Sequence, residues 1–473
     1  MPARKRSCAL CRKKRIKCDA TLPQCLMCTK FGRLCPGVPE GPLIVDMNPT
    51  AQYGMRKRRP KGQQRIELEP ITHSPDSQAV SQQTVVTEAF YGRFLSYFTA
   101  EGEGKDIQNR STWLHRLPLL STDGTNDALM LAVQATASAY CAVESGNLSL
   151  TRHAWDLYGK ALRSHSRYLA TSQRKHEITV HMVSTSVLFS FFEAMQAANA
   201  SAYRSHIYGV LKMIERTGPK QCTGGVLCQI FFHLRTQMAF VQLTGHEAEA
   251  PLEVRNILLG TLEYTRLPIF QRLMSHVTTL VNLYVGLSRS KMKDPINHTI
   301  CAAVKNEVES LWTEYTNEAA QTGESLSWYD SSTGTQQYRD AFTALVIAYF
   351  SSAHILLGVI VPKLEAIALE TKGHFTSIMD AARFLHIHDI GCAYMRMATP
   401  LLLVALHAPR SKQRREATSC FERWRSRSMK GISALALETV HRHQESARRM
   451  KMSCNKLIPC VQQPIHTNAG TPC

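Results

Sequence analysis

Residues 1–72 contain no histidine, so a metal held by that stretch cannot draw on imidazole. No G-x-S-x-G and no P-loop occurs anywhere, which removes the nucleophile elbow and Walker-type phosphate chemistry. Glu101-Gly102-Glu103-Gly104-Lys105 is a glycine-containing turn without phosphate-loop spacing. Behind the charged start MPARKRSC there is no apolar run of the signal-peptide kind, and the expectation is an intracellular protein. Alternating β patterns are scarce. Charge is missing from Ala341 to Pro362, about the length a membrane helix needs. Thr343, Ser351, Ser352 and His354 interrupt that run and no basic cluster flanks it, so a buried core helix and no membrane contact are expected.

What is present is charge in the wrong proportion and cysteine in a pattern. The 473 residues carry a net charge of +19, divided as +13 over 1–65, −3 over 66–409 and +9 over 410–473. A near-neutral body thus lies between a basic head and a basic tail. Of 15 cysteines, nine (Cys141, Cys222, Cys228, Cys301, Cys392, Cys420, Cys454, Cys460, Cys473) are scattered without paired spacing, as free thiols of a reducing compartment are.

The other six form two copies of C-x2-C-x6-C: Cys8, Cys11 and Cys18, then Cys25, Cys28 and Cys35, the second copy seventeen residues after the first. C-x2-C lets one turn aim two sulfurs at one zinc, and zinc wants four such ligands. Two zinc ions need eight ligand positions, so with six thiolates two must bridge both ions, and a twofold repeat makes the bridging pair equivalent residues. A disulfide framework would need an oxidising compartment, of which there is no sign. Residues 1–35 hold ten Lys and Arg against one acid, about +7 after two zincs and six thiolates are counted, a density that fits a polyanion. Arg12, Lys13, Lys14, Arg15 and Lys17 lie in the first half and only Lys30 and Arg33 in the second. The first half is therefore the one expected in a major groove.

This stretch, with its basic run before Cys18, Asp19 after it and Pro23 two residues before Cys25, resembles the fungal binuclear zinc cluster of transcription factors. The resemblance implies two Zn(2+) ions on the six cysteines, with Cys8 and Cys25 as the bridging pair. It further implies that Lys14 and Arg15 contact bases of double-stranded DNA in a CGG-like triplet, where Lys or Arg to guanine is the commonest base contact. Arg4, Lys5, Arg6, Arg12, Lys13, Lys17, Lys30 and Arg33 are then left to position the module on phosphates.

From Pro36 to about Gln83 a proline-punctuated polar segment reads as a disordered linker. Its run Arg56, Lys57, Arg58, Arg59, Pro60, Lys61 is a nuclear-import signal, a phosphate patch or a solvated charge run. No a/d heptad run follows the cluster, so either the body pairs two copies in a homodimer or the protein binds as a monomer. Amphipathic helical periodicity then predicts helices over about 84–98, 126–145, 150–170, 177–198, 201–216, 225–243, 265–289, 297–318, 336–360 and 376–398. That is an all-α domain over 84–408, followed by a basic C-terminal tail, 409–473, with one helix near 431–450. Phe90-Tyr91-Gly92-Arg93-Phe94, Trp155 to Leu162 and His206-Ile207-Tyr208-Gly209 resemble the helical regulatory domain found behind such clusters.

Catalysis finds little support. His176-Glu177 with His181 resembles a zincin pair, but five residues separate the histidines, about 140° around a helix, where four are needed. His386, His388 and Asp389 read as a helix face. The expected fold class is a small zinc-cluster DNA-binding domain plus a large all-α domain. The expected function is a nuclear, non-enzymatic, sequence-specific regulator of RNA polymerase II genes that works with the transcription machinery. Family resemblance points to metabolic, and secondary-metabolite, gene clusters. The rivals are a ligand-binding protein or enzyme and a helical scaffold, each with an accessory zinc module.

Overall fold

The computed structural model describes residues 8–14, 16–19, 21, 24–33, 35, 88–95, 113–175, 177–196, 200–217, 225–245, 267–289, 295–361, 365–387, 391–427 and 429–456. The chain divides into two units, residues 1–61 and 62–473. The first contains two short helices, α1 (Ala9–Lys14) and α2 (Leu26–Lys30). Segments of 6 and 5 residues are too short to be helical alone, and what surrounds them is sulfur rather than an apolar core.

Among its described residues the second unit is helical apart from one hairpin. A helix over 88–95 (α3) precedes a 3-10 turn (Trp113–Arg116) that runs into α4 (Leu117–Ser121). Then come α5 (Asp127–Ser145), α6 (Leu148–Lys175), α7 (Val180–Gln196), α8 (Ala200–Thr217) and α9 (Gly225–Leu243). α10 (Ile269–Arg289) and α11 (Pro295–Gln321) lead to strands β1 (Ser327–Asp330) and β2 (Thr335–Tyr338), followed by α12 (Ala341–Ile360), α13 (Glu365–Ile387), α14 (Gly391–His407), α15 (Ser411–Ser426) and α16 (Lys430–Lys456). α5 packs on α6 and α7, α10 on α9, and α14 on α9 and α12.

Local chemistry sets several boundaries. The Asn126 side chain accepts from Leu129 N at 3.0 Å and starts α5, and Gly146 ends it at φ 65°, a left-handed conformation that costs glycine little. α12 begins where Asp340 Oδ1 accepts from Thr343 N at 2.6 Å. As expected of the uncharged run, α12 is a core helix. Its surface is covered by α10, α11, α13 and α14, and 78% of its apolar window is buried.

The core also holds polar groups, and several of them pair with one another. Tyr158 O–H donates to Glu193 Oε1 at 2.8 Å and lies 2.9 Å from His206 Nε2, while its ring stacks on Phe192 with centroids 4.1 Å apart. Ser186 Oγ is 2.8 Å from His165 Nε2. Burial pushes both His165 and His206 down to about 4, so these imidazoles are neutral at physiological pH.

The structure departs from the expected elements in three places. Residues 336–340 do not open a helix: Thr335–Tyr338 pair antiparallel with Ser327–Asp330. The turn between is held by Asp330 Oδ1, which accepts from Ser332 N at 2.9 Å and Ser332 Oγ at 2.7 Å, with Gly334 at φ 65°. The helix expected over 376–398 is two helices, and the second continues through Pro400 to His407. A proline there removes the N–H owed to the carbonyl of Arg396. Tyr349 O–H from α12 donates to that oxygen at 2.8 Å, so the proline leaves no orphan. Finally, the basic segment after 408, read as a tail with one helix, supplies two helices to the core. α15 buries Ala417, Cys420, Phe421 and Trp424, and α16 buries Ile432, Leu435, Ala436 and Val440. α16 lies on α7, α8, α14 and α15.

Candidate metal centre and nucleic-acid interface

Each half of the first unit is built by the same local rule. The N–H of Cys11 points at Cys8 Sγ (3.4 Å) and the N–H of Cys28 at Cys25 Sγ (3.4 Å); Cys8 N lies 3.3 Å from Cys18 Sγ and Cys25 N 3.5 Å from Cys35 Sγ. One turn of helix thus folds around the first sulfur of each half, and the chain returns to set the third beside it. N–H groups aimed at sulfur stabilise thiolate, the form that binds metal.

The six sulfurs converge. Cys8, Cys11, Cys18 and Cys25 have ligand atoms within 4.8 Å of one another, and so do Cys8, Cys25, Cys28 and Cys35. The two quartets have Cys8 and Cys25 in common. Sulfur separations are 3.7 Å for Cys8 to Cys25, 3.7 Å for Cys8 to Cys28, 3.8 Å for Cys11 to Cys25 and 3.8 Å for Cys25 to Cys35. Four sulfurs at ~2.3 Å from a tetrahedral zinc are separated by ~3.8 Å, so the donor set fits the ion in chemistry and in spacing. Without metal, burial and the neighbouring sulfurs push the thiols of Cys11, Cys25 and Cys28 up to about 12. A set of crowded thiols that must lose protons together is one that a divalent cation organises.

Asp19 has a role that the sequence did not disclose. Its carboxylate accepts from Leu26 N (3.1 Å), Met27 N (3.4 Å) and Thr21 N (3.4 Å), crossing from the first half to the start of α2. Partial burial would raise this carboxyl, but the backbone N–H groups outweigh it and hold it below its usual value. The signal available in the sequence was an acid next to a cysteine. Only the fold shows which helix it caps.

The cationic residues sort by position. Lys14, at the C-terminal end of α1, is exposed, as are Lys17, Lys30 at the end of α2, and Arg33. The Arg33 guanidinium lies 5.3 Å from the Phe31 ring centroid, and Phe31 itself is 54% exposed; this pairing was not foreseen. Arg12 and Lys13 are on α1, with side chains outside the described residues. Arg4, Lys5, Arg6, Arg15, the run Arg56, Lys57, Arg58, Arg59, Lys61 and the rest of the linker lie outside the described residues altogether.

Among the described residues no other group of three or more His, Cys, Asp or Glu converges on a common point. His181 of the zincin-like trio is 2.7 Å from Asp123 Oδ2 and 3.2 Å from Thr125 Oγ1, tying the loop before α5 to α7. His176, His388 and Asp389 lie outside the described residues, and His386 sits in the last turn of α13.

The family profile of the fungal Zn(2)-Cys(6) binuclear cluster domain matches residues 6–40, and a domain of this kind binds two zinc ions and DNA. The profile of the fungal specific transcription factor domain matches residues 113–442. That match runs through α15 and into the first half of α16. No significant match to a curated protein or to a solved structure was found. With a zinc-cluster domain at residues 6–40 and a helical domain matched over 113–442, the chain belongs to the fungal-specific transcription factor family.

Proposed function

We propose that this chain is a nuclear, sequence-specific regulator of RNA polymerase II genes, specific to one metabolic pathway, a secondary-metabolite cluster. The observation that carries the DNA-binding part is the exposed Lys14 at the end of a helix whose other end is fixed to the sulfur cluster. In this reading Cys8 and Cys25 bridge the two zincs, while Cys11 and Cys18 complete one site and Cys28 and Cys35 the other. Lys14 and Arg15 reach base edges of a CGG-like triplet in the major groove. Arg4, Lys5, Arg6, Arg12, Lys13, Lys17, Lys30 and Arg33 hold phosphates, and the run 56–61 serves nuclear import or a further phosphate contact. The helical unit passes regulation to the transcription machinery, and a homodimer through that unit sets half-site spacing.

Zinc supplies the fold that presents the basic residues, since a module this small has almost no apolar core of its own. Binding-site selection with the zinc-loaded chain tests the reading: a recovered G- and C-containing triplet, lost on chelation, is the expected result. Enrichment of no sequence would overturn it. Lys14→Ala should relax one base position by ~1–3 kcal/mol of discrimination.

A further inference from the structure

Folding explains only part of the basic charge after residue 408: Arg442 donates to the Thr244 carbonyl, while Lys412, Arg415 and Arg425 take no such partner among the described residues. Residues 410–430 carry eight Lys or Arg and two Glu. On α15 the inward face is Ala417, Cys420, Phe421 and Trp424. The outward face presents Lys412, Arg415, Arg423 and Arg425, all exposed, with Glu422 as the one exposed carboxylate among the described residues of the helix. Lys412, Arg415 and Arg425 make no ion pair among the described residues, Glu416 and Glu422 included, and the nearby Asp380 of α13 is taken by Arg383 at 2.6 Å. Arg414, by contrast, has a structural task, donating to the carbonyl oxygens of Ala408 and Pro409 at the end of α14. No acid stands in the first turn of α15, where Lys412 and Arg414 oppose the helix dipole. Lys412 stands against the dipole without an ion pair, while Arg423 and Arg425 lie in the last turn, where the dipole favours a cation.

We propose that this outward face of α15 is a second DNA-phosphate contact, engaging the duplex beside the site held by the zinc cluster. The inference rests on the DNA-binding reading above. Lys412 to Arg425 spans about 20 Å along the helix, the length of about six base pairs, so three or four phosphates are within its compass. The helical unit and the cluster belong to one chain, joined through residues 36–87. A bound cluster therefore raises the local concentration of duplex at this face. The contact is sequence-neutral, because phosphates carry no base identity.

The test uses the full zinc-loaded chain and two duplexes: one just covering the selected site, the other carrying the same site with several further turns on each side. The wild type should bind the longer duplex tens-fold more tightly at 50 mM salt, with a salt slope steeper by about 2–3. Lys412→Gln, Arg415→Gln and Arg425→Gln combined should bind both duplexes alike, keep the short-site affinity, and keep the circular dichroism of the wild type. A wild type indifferent to flank length, or a variant that keeps the full gain, overturns the proposal. If the short duplex is not bound sequence-specifically, the DNA-binding reading fails and this inference falls with it.

Discussion

Gly431, in the first turn of α16, lies hard against the backbone of the body. A Cβ built there would lie 3.2 Å from Ala194 Cα and closer still to the carbonyl oxygen of Glu193. Both obstacles are backbone of α7, a helix buried on nearly all sides, so no rotamer change relieves them. Gly431→Ala must instead push α16 away from α7, disturbing the Glu193–Tyr158–His206 chain below it. Overpacking of this kind costs ~1–3 kcal/mol, against at most ~1 kcal/mol gained from alanine's helix propensity. The net loss is ~1–2 kcal/mol, a fall in Tm of about 1–3 °C for a unit of this size. Gly373, in the interior of α13, is the internal control: it is exposed and a Cβ there meets nothing within 4 Å, so Gly373→Ala should stabilise by ~0.5–1 kcal/mol. Thermal unfolding of both variants, followed by far-ultraviolet circular dichroism, decides the matter. If Gly431→Ala melts as high as Gly373→Ala, α16 does not pack on α7 as described.

Other outcomes follow from single contacts. Cys25→Ala strikes both sulfur quartets and should leave less than one zinc per chain, whereas Cys35→Ala strikes one; retention of two zincs by Cys25→Ala, read by elemental analysis, would refute the shared-ligand arrangement. Tyr349→Phe leaves the Arg396 carbonyl unpaired and should cost ~1–3 kcal/mol in denaturant unfolding. Pro400→Ala restores the missing N–H and should rescue most of that loss, and additive effects of the two changes would count against the explanation given for the uninterrupted helix. Burial lowers His165, His206 and His407 to about 4 and His233 to about 3, so the unfolded chain binds more protons below the ordinary histidine value of 6.5. Stability is then complete above pH 6.5 and is lost as pH falls toward 4, and an unfolding midpoint equal at pH 7.5 and 5.5 would contradict this.

The metal centre was legible because its chemistry is written in spacing: two equal cysteine triplets with no histidine nearby leave few arrangements. Asp19 was visible but not its task, since the N–H groups it accepts belong to α2, seven and eight residues on. Helices with clean periodicity, such as α5 and α9, were legible nearly to the residue. The hairpin was not, because strands of four residues are too short for alternation to emerge. α14 was missed beyond residue 398 because Pro400 is a helix breaker unless another side chain takes the freed carbonyl, and Tyr349 lies some fifty residues away. α15 was missed because its arginines dominate the composition, while the four buried residues that make it a core helix are spread at three- and four-residue intervals.

α12 has a consequence for how the chain is made. Its 20 residues emerge after α10 and α11 but before α13 and α14, so during synthesis half of its covering does not yet exist. A nascent chain paused between residues 361 and 391 displays the most apolar helix among the described residues to chaperones and to other nascent chains. Truncations in that interval should collect in the insoluble fraction, whatever the state of the zinc cluster.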